Sequence, residues 1–296
     1  MQAAVLNWYA AHGRDLAFRR TTDPWAILVS EVMAQQTQAA RAAEHWIRFM
    51  AEFPTPTALA AVSPAAVIRA WRGLGYNRRA VALRAAALKI VEAHEGRVPD
   101  SLEALEALSG IGPYTARAVL AFAFDRPVAP LDTNVRRVLD RALGPLPSAS
   151  RARQAAADEA VPATAAAAWS HALMDIGATI CLAREPRCDA CPIQRACRAR
   201  TAAAARKDVA VGPAPSRRRP GPPGQPDAAF PATKRWLRGR IVDQLRDAPD
   251  GAWVTFDRSI GEHSVGKVGV ALDGLARDQL IERDTASPSR ARLLVD

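Results

Sequence analysis

The sequence predicts an all-α protein through residue 200, followed by a linker and a small C-terminal unit of winged-helix type. Three observations carry this. Up to about residue 200, apolar residues recur at spacings of three and four, alanine is abundant, and short breaks hold proline or glycine. Residues 201–229, "TAAAARKDVAVGPAPSRRRPGPPGQPDAA", turn rich in proline, glycine and arginine, a composition that cannot bury a core and reads as a linker. Beyond residue 230, helical periodicity gives way to the alternation of "LIERDTASPSRARLLVD".

Each element follows from local signals. "TTDPWAILVSEVMAQQTQ" (21–38) reads as a helix with Asp23 as N-cap and Pro24 at its first position. "DSLEALEALSG" (100–110) opens with Asp100 and Glu103 at capping-box spacing and closes at Gly110. "PYTARAVLAFAF" starts the next helix, which gives helix, glycine hairpin, helix. Gly110 and Gly112 free the backbone to approach a phosphate, and the following helix N-terminus offers N–H donors. In "APLDTNVRRVLDRAL" (129–143), Asp132 precedes a helix and is placed to cap it by accepting from the backbone of Asn134 and Val135. After the linker, a helix is expected over about 233–247, a short strand at "AWVTF", a helix at 265–280, and a terminal hairpin.

Bulk properties narrow the function classes. The 296 residues are 49% hydrophobic, enough for a sizeable core. A formal charge of +10 and a pI near 10.3 suit a polyanionic partner, and suit equally an arginine-heavy protein with solvated basic faces. The sequence has neither an apolar run long enough to span a bilayer nor a signal-peptide pattern, so a soluble, cytoplasmic protein is expected, with no membrane partner.

The four cysteines fall in one 17-residue stretch, "CLAREPRCDACPIQRAC", spaced Cys181-x6-Cys188-x2-Cys191-x5-Cys197. Four thiolates so close in sequence suit one metal centre, either a [4Fe–4S] cluster or a tetrahedral zinc. A single C-x2-C pair, where all-cysteine zinc sites more often use two, favours the cluster. Arg184, Arg187, Arg195 and Arg198 interleave the ligands and give the loop a positive face.

Glu31 and Gln35 lie four apart, beside an apolar stripe of Trp25, Leu28, Val29 and Val32. A carboxyl at the edge of such a stripe would be desolvated and become a plausible general acid. A solvated helix glutamate fits the local pattern as well. Asp132, besides capping, would stabilise a cation developing beside it.

With these residues assembled, the chain resembles the endonuclease III superfamily of helix–hairpin–helix DNA glycosylases, and more closely its MutY-type adenine glycosylase branch. The resemblance rests on "SEVMAQQTQ", "GLGYNRRAVAL", "LSGIGPYTA", "LDTNVRRVL" and the cysteine loop, in order, and covers about two-thirds of the chain. It implies a two-lobed glycosylase domain at 1–200 with an iron–sulfur loop at 181–197, and a flipped base held between the lobes. It implies monofunctional hydrolysis of the N-glycosidic bond of adenine opposite 8-oxoguanine or guanine, in base excision repair. It implies a [4Fe–4S] cluster, a double-stranded DNA partner, and a monomer associated with the nucleoid.

By the same resemblance, Glu31 protonates the departing adenine, Asp132 stabilises the sugar cation, and Asn134 and Tyr114 belong to the catalytic set. Tyr114 stands where lyase relatives carry a Schiff-base lysine. Arg19 falls at a pocket position, and Gln36 and Tyr76 would wedge into the duplex. Departures from the pattern are Ala17-Phe18 for Pro-Trp, Ala34 for a larger apolar residue, and His171 where Gln or Glu meets the base. The 230–296 unit stands where the branch carries a Nudix-like domain. A thymine or uracil mismatch glycosylase on the same fold is the alternative, opposed by Glu31, because protonation at N7 is a purine need. A non-catalytic DNA-binding protein with a decayed site is a further one, opposed by the intact Glu31 and Asp132.

Overall fold

The computed structural model describes residues 1–205 and 230–295. The expected linker at 201–229 therefore lies outside the described residues, except for its first five, which end a helix. Helices α1 (Gln2–His12), α2 (Pro24–Ala34), α3 (Ala39–Glu52), α4 (Pro56–Ala60), α5 (Pro64–Ala70), α6 (Arg78–His94), α7 (Leu102–Glu106), α8 (Pro113–Phe124), α9 (Thr133–Leu143), α10 (Ser150–Glu159), α11 (Ala166–Thr179) and α12 (Arg198–Ala205) precede the break. After it come α13 (Lys234–Asp247), β1 (Val254–Thr255), α14 (Val265–Arg277), β2 (Ile281–Arg283) and β3 (Arg290–Leu293). Among the described residues all strands lie in the C-terminal segment, as the sequence predicts.

The chain forms two compact units. The first contains residues 1–31, 99–107 and the described residues from 111 to 205. Its core packs Val5 of α1 with Val135, Val138 and Leu139 of α9 and Trp169, Leu173 and Ile176 of α11, all nearly inaccessible. Gly177 lets α11 close on α9: a Cβ there would stand 2.6 Å from the Asn134 Cβ. The second unit contains residues 32–98, 108–110 and the described residues from 230 on.

Local capping mostly follows the sequence. Asp23 accepts from the Trp25 amide at 3.0 Å and Asp132 from the Val135 amide at 2.6 Å. Two details differ. The cap of α7 is Ser101, accepting from Ala104 at 3.3 Å, and the helix stops at Glu106; Asp100 pairs instead with Arg126 at 3.2 Å. Helix α2 ends at Ala34, four residues early, because Gln36 turns left-handed at φ 54°. Gln35 therefore does not share a helix face with Glu31.

In the second unit the C-terminal segment is docked rather than free-standing. Ala65 and Ile68 of α5 share a core with Leu237, Ile241 and Leu245 of α13 and with Leu272 and Leu275 of α14. Around this contact Arg246 donates to the Ile68 carbonyl and the Asn77 amide oxygen, both at 2.9 Å, and Ala65 N–H donates to the Leu294 carbonyl at 2.9 Å. The small sheet has order β1-β3-β2, antiparallel throughout, with Val254 opposite Ala291 and Ile281 opposite Leu293. In β3, Ala291 and Leu293 face inward, whereas Arg290 and Arg292 lie over the Trp253 ring. Two helices and a β2–β3 hairpin joined to β1 follow the order of elements expected from the sequence.

Candidate active site

Helix α2 is apolar on every side from Trp25 to Met33, apart from Ser30 and Glu31, and all of these residues are buried. Glu31 is only 8% exposed, so it is no solvated helix glutamate. Burial pushes its carboxyl up to about 7, and the charge of Asp132 adds to the rise. A hydrogen bond from Tyr114 and the charge of Arg19 oppose it. The Tyr114 hydroxyl is itself driven well above its ordinary range by burial and by the carboxylates of Glu31 and Asp132, so it stays a neutral donor.

Glu31 opens onto a cavity of about 220 Å³ in the first unit. Phe18, Arg19, Ser30, Phe122 and His171 line it with Glu31. His171 lies against Phe122, with ring centroids 4.0 Å apart, and faces Tyr9 at 6.2 Å. Burial, reinforced by Arg19, lowers its imidazole to about 3, so the ring is neutral, and its buried Nδ1 has no partner. A neutral ring nitrogen with spare hydrogen-bonding capacity in an aromatic pocket is suited to a planar, polar-edged guest.

Arg19 is held by a residue that the sequence reading passed over. Its two terminal nitrogens donate to both oxygens of the fully buried Asp175, at 2.8 and 2.9 Å. Arg14 adds its backbone N–H at 2.9 Å and its Nε at 2.7 Å. Burial works to raise the Asp175 carboxyl, yet these arginine contacts hold it below the usual range. An aspartate within the apolar run "ALMDIGA", one helical turn after His171, was the available signal.

The structure thus brings Glu31, Tyr114, Arg19 and His171 together, with Asp132 close enough to influence the first two. Asn134 is turned elsewhere: its amide oxygen accepts from Arg137 at 2.8 Å. Gly112 caps α8 with extended backbone, and a Cβ placed there would meet nothing within 4 Å, so nothing in the free chain demands glycine. Gln36, Tyr76 and Gly110 belong to the second unit. Gln36 and Tyr76 are exposed and left-handed, at φ 54° and 47°, so Tyr76 is not a core aromatic. Gly110 needs its lack of a side chain: φ is 76° and a Cβ would meet the Ala82 Cβ at 2.8 Å.

Arg79, also missed, ties both exposed loops together. Its guanidinium donates to the carbonyls of Val32 and Met33 at 2.9 Å, to that of Gln35, and to those of Leu74 and Gly75 at 3.1 Å. One half-buried cation thereby satisfies the open end of α2 and the turn that carries Tyr76.

The four cysteines line a single cavity of about 130 Å³ with Arg141, Ile176 and Ile193. Arg137 and Arg141 of α9 pin the loop by donating to the Cys181 carbonyl at 2.7 Å and the Leu182 carbonyl at 2.7 Å. No group of three or more His, Cys, Asp or Glu side chains among the described residues is arranged to hold one metal ion.

Known proteins resemble this chain over much of its length. Residues 29–162 match the HhH-GPD superfamily base excision DNA repair protein. The chain is 41% identical to an adenine DNA glycosylase of Mycolicibacterium smegmatis, over 94% of this chain and 92% of that protein. It is 37% identical to the human adenine DNA glycosylase, over 67% of this chain but 39% of that protein. The solved structure of a thermostable thymine-DNA glycosylase superposes with a TM-score of 0.64 at 27% identity, over 68% of this chain and 94% of that one. The chain belongs to the HhH-GPD superfamily of base excision DNA repair proteins and, within it, to the adenine DNA glycosylases.

Proposed function

We propose that this chain hydrolyses the N-glycosidic bond of adenine mispaired with 8-oxoguanine or guanine in double-stranded DNA, as a cytoplasmic monomer and without cutting the strand. The observation that carries the reading is Glu31: a buried carboxyl with its pKa near 7, hydrogen-bonded to Tyr114 and opening onto an aromatic-walled cavity. Near neutral pH such a group is substantially protonated and can give its proton to N7 of a departing purine. Once ionised, it can take a proton from the attacking water. Asp132, fixed by its Val135 hydrogen bond, supplies negative charge where the sugar becomes cationic. Tyr114 cannot form a Schiff base, so the chemistry ends at base release. Phe18, Phe122 and neutral His171 would enclose and read the flipped base, with Arg19 as the wall that Asp175 positions.

Tyr76 and Gln36 of the second unit would occupy the space left in the duplex, and the α8 N-terminus after Gly112, in the first unit, would receive a phosphate. For the cysteine loop we propose a [4Fe–4S] cluster. Four thiols on the wall of one cavity, spaced in sequence with a single C-x2-C pair, support that reading over one tetrahedral zinc. Cys181, Cys188, Cys191 and Cys197 would hold it, and the bound cluster would supply loop rigidity rather than redox chemistry. No helix among the described residues is long and apolar enough to cross a membrane.

The test is single-turnover excision on labelled duplexes carrying A:8-oxoguanine, A:G, A:C, T:G and U:G, each with and without alkali. Alkali-dependent cleavage at adenine is expected. Cleavage at T:G or U:G instead would replace this reading with the thymine or uracil alternative.

A further inference from the structure

A third cavity, about 1210 Å³, lies wholly in the second unit. One wall is the Gln36 and Tyr76 loops with Ser109-Gly110; the other is the start of α13. Six cationic side chains line it, and Asp278 is the single carboxylate among its described lining residues. Asp278 is occupied by Arg238 and, at 3.6 Å, by Arg78; Arg79 is spent on loop carbonyls. Lys234 and Arg235 are exposed and have no ion-pair partner among the described residues.

Their position violates a local rule. Lys234 and Arg235 occupy the first turn of α13, which contains no acidic residue. A helix start carries partial positive charge and disfavours cations there. Such placement costs folding stability and makes sense if an anion arrives to offset it. Arg235 also lies over the Tyr76 ring, 4.4 Å from its centroid, so the cations are coupled to the exposed aromatic. Free cations beside an exposed tyrosine and a glycine turn suit a phosphodiester chain with bases, where an acidic peptide would use only the charge.

We propose that the groove between the Tyr76 loop and the start of α13 is a binding site for the DNA backbone, with Lys234 and Arg235 contacting phosphates. The C-terminal segment thereby acts as part of the DNA-holding surface. This rests on the DNA glycosylase reading, but its test does not need base excision.

Full-length protein and the double variant Lys234→Gln/Arg235→Gln are titrated against a fully matched labelled duplex over a salt series. Because both residues are exposed and stand at the positive end of the helix, the double variant should melt at the parent's temperature or slightly above it. The expected result is weaker binding and a log–log salt slope shallower by about two. Arg97→Gln, which removes an exposed cation paired with Glu95 elsewhere in the unit, should leave the slope unchanged. An unaltered slope in the double variant overturns the proposal. So does a parent protein whose groove cations bind polyglutamate while contributing nothing to duplex binding, which would assign the groove to an acidic protein. Since the duplex carries no mismatch, failure here leaves adenine excision standing, and failure of excision leaves the slope readable.

Discussion

The Glu31 pocket and the α13 groove treat charge in opposite ways. In the pocket, charge is desolvated and paired: the buried Asp175 carboxylate is shared by Arg19 and Arg14, His171 is forced neutral, and Glu31 is held near half-protonation at neutral pH. In the groove, Lys234 and Arg235 are exposed and have no ion-pair partner among the described residues. Proton transfer needs desolvation to tune a single group, whereas phosphate binding needs charges that water and salt can reach. Substitutions in the two regions should therefore fail differently.

The largest separation is expected from Glu31→Gln. Base excision should slow by about 10²–10⁴-fold, while affinity for a matched duplex stays within error; a parallel loss of binding would merge the two regions into one. Next is Asp175→Asn, which leaves Arg14 and Arg19 without their buried counter-charge. Urea unfolding should show a loss of about 3–5 kcal/mol, and a loss below about 1 kcal/mol would mean that Arg19 is positioned otherwise. Arg79→Ala strips carbonyls at the end of α2 and in the Tyr76 turn of their shared donor. It should cost about 2–3 kcal/mol in the same assay and weaken duplex binding without changing the pH profile of excision.

The pH dependence sharpens the comparison most finely. Single-turnover excision should fall about tenfold per pH unit above about 7 as Glu31 loses its proton. Stability carries the same signature. Because the folded-state pKa of Glu31 lies above its ordinary 4.5, its favourable contribution is complete below that value and fades as pH rises through about 7. Glu31→Gln should therefore melt above the parent at pH 8–9, with the gap closing toward pH 4. A gap independent of pH would place the carboxyl in water.

Some of this was legible because it is local. Glycine and proline punctuation, the Asp23 and Asp132 caps and the cysteine spacing are determined by neighbours a few residues away. The order of helices and strands in the tail could be read for the same reason. Errors arose where a local signal met a distant partner. Asp100 looked like a cap but pairs with Arg126, and α2 stopped early where Arg79 claims its last carbonyls.

By itself, then, the sequence determined the helical class and the order of elements, since these depend on periodicity and short-range spacing, while its resemblance to a known family supplied the candidate glycosylase residues. Tertiary structure alone decided that Glu31 is buried rather than solvated, that Asp175 reaches back across 156 residues to fix Arg19, and that α13 docks on α5 to complete a basic groove. Burial and charge pairing are long-range properties. A residue's pKa and its partner exist only once distant segments have excluded the water between them.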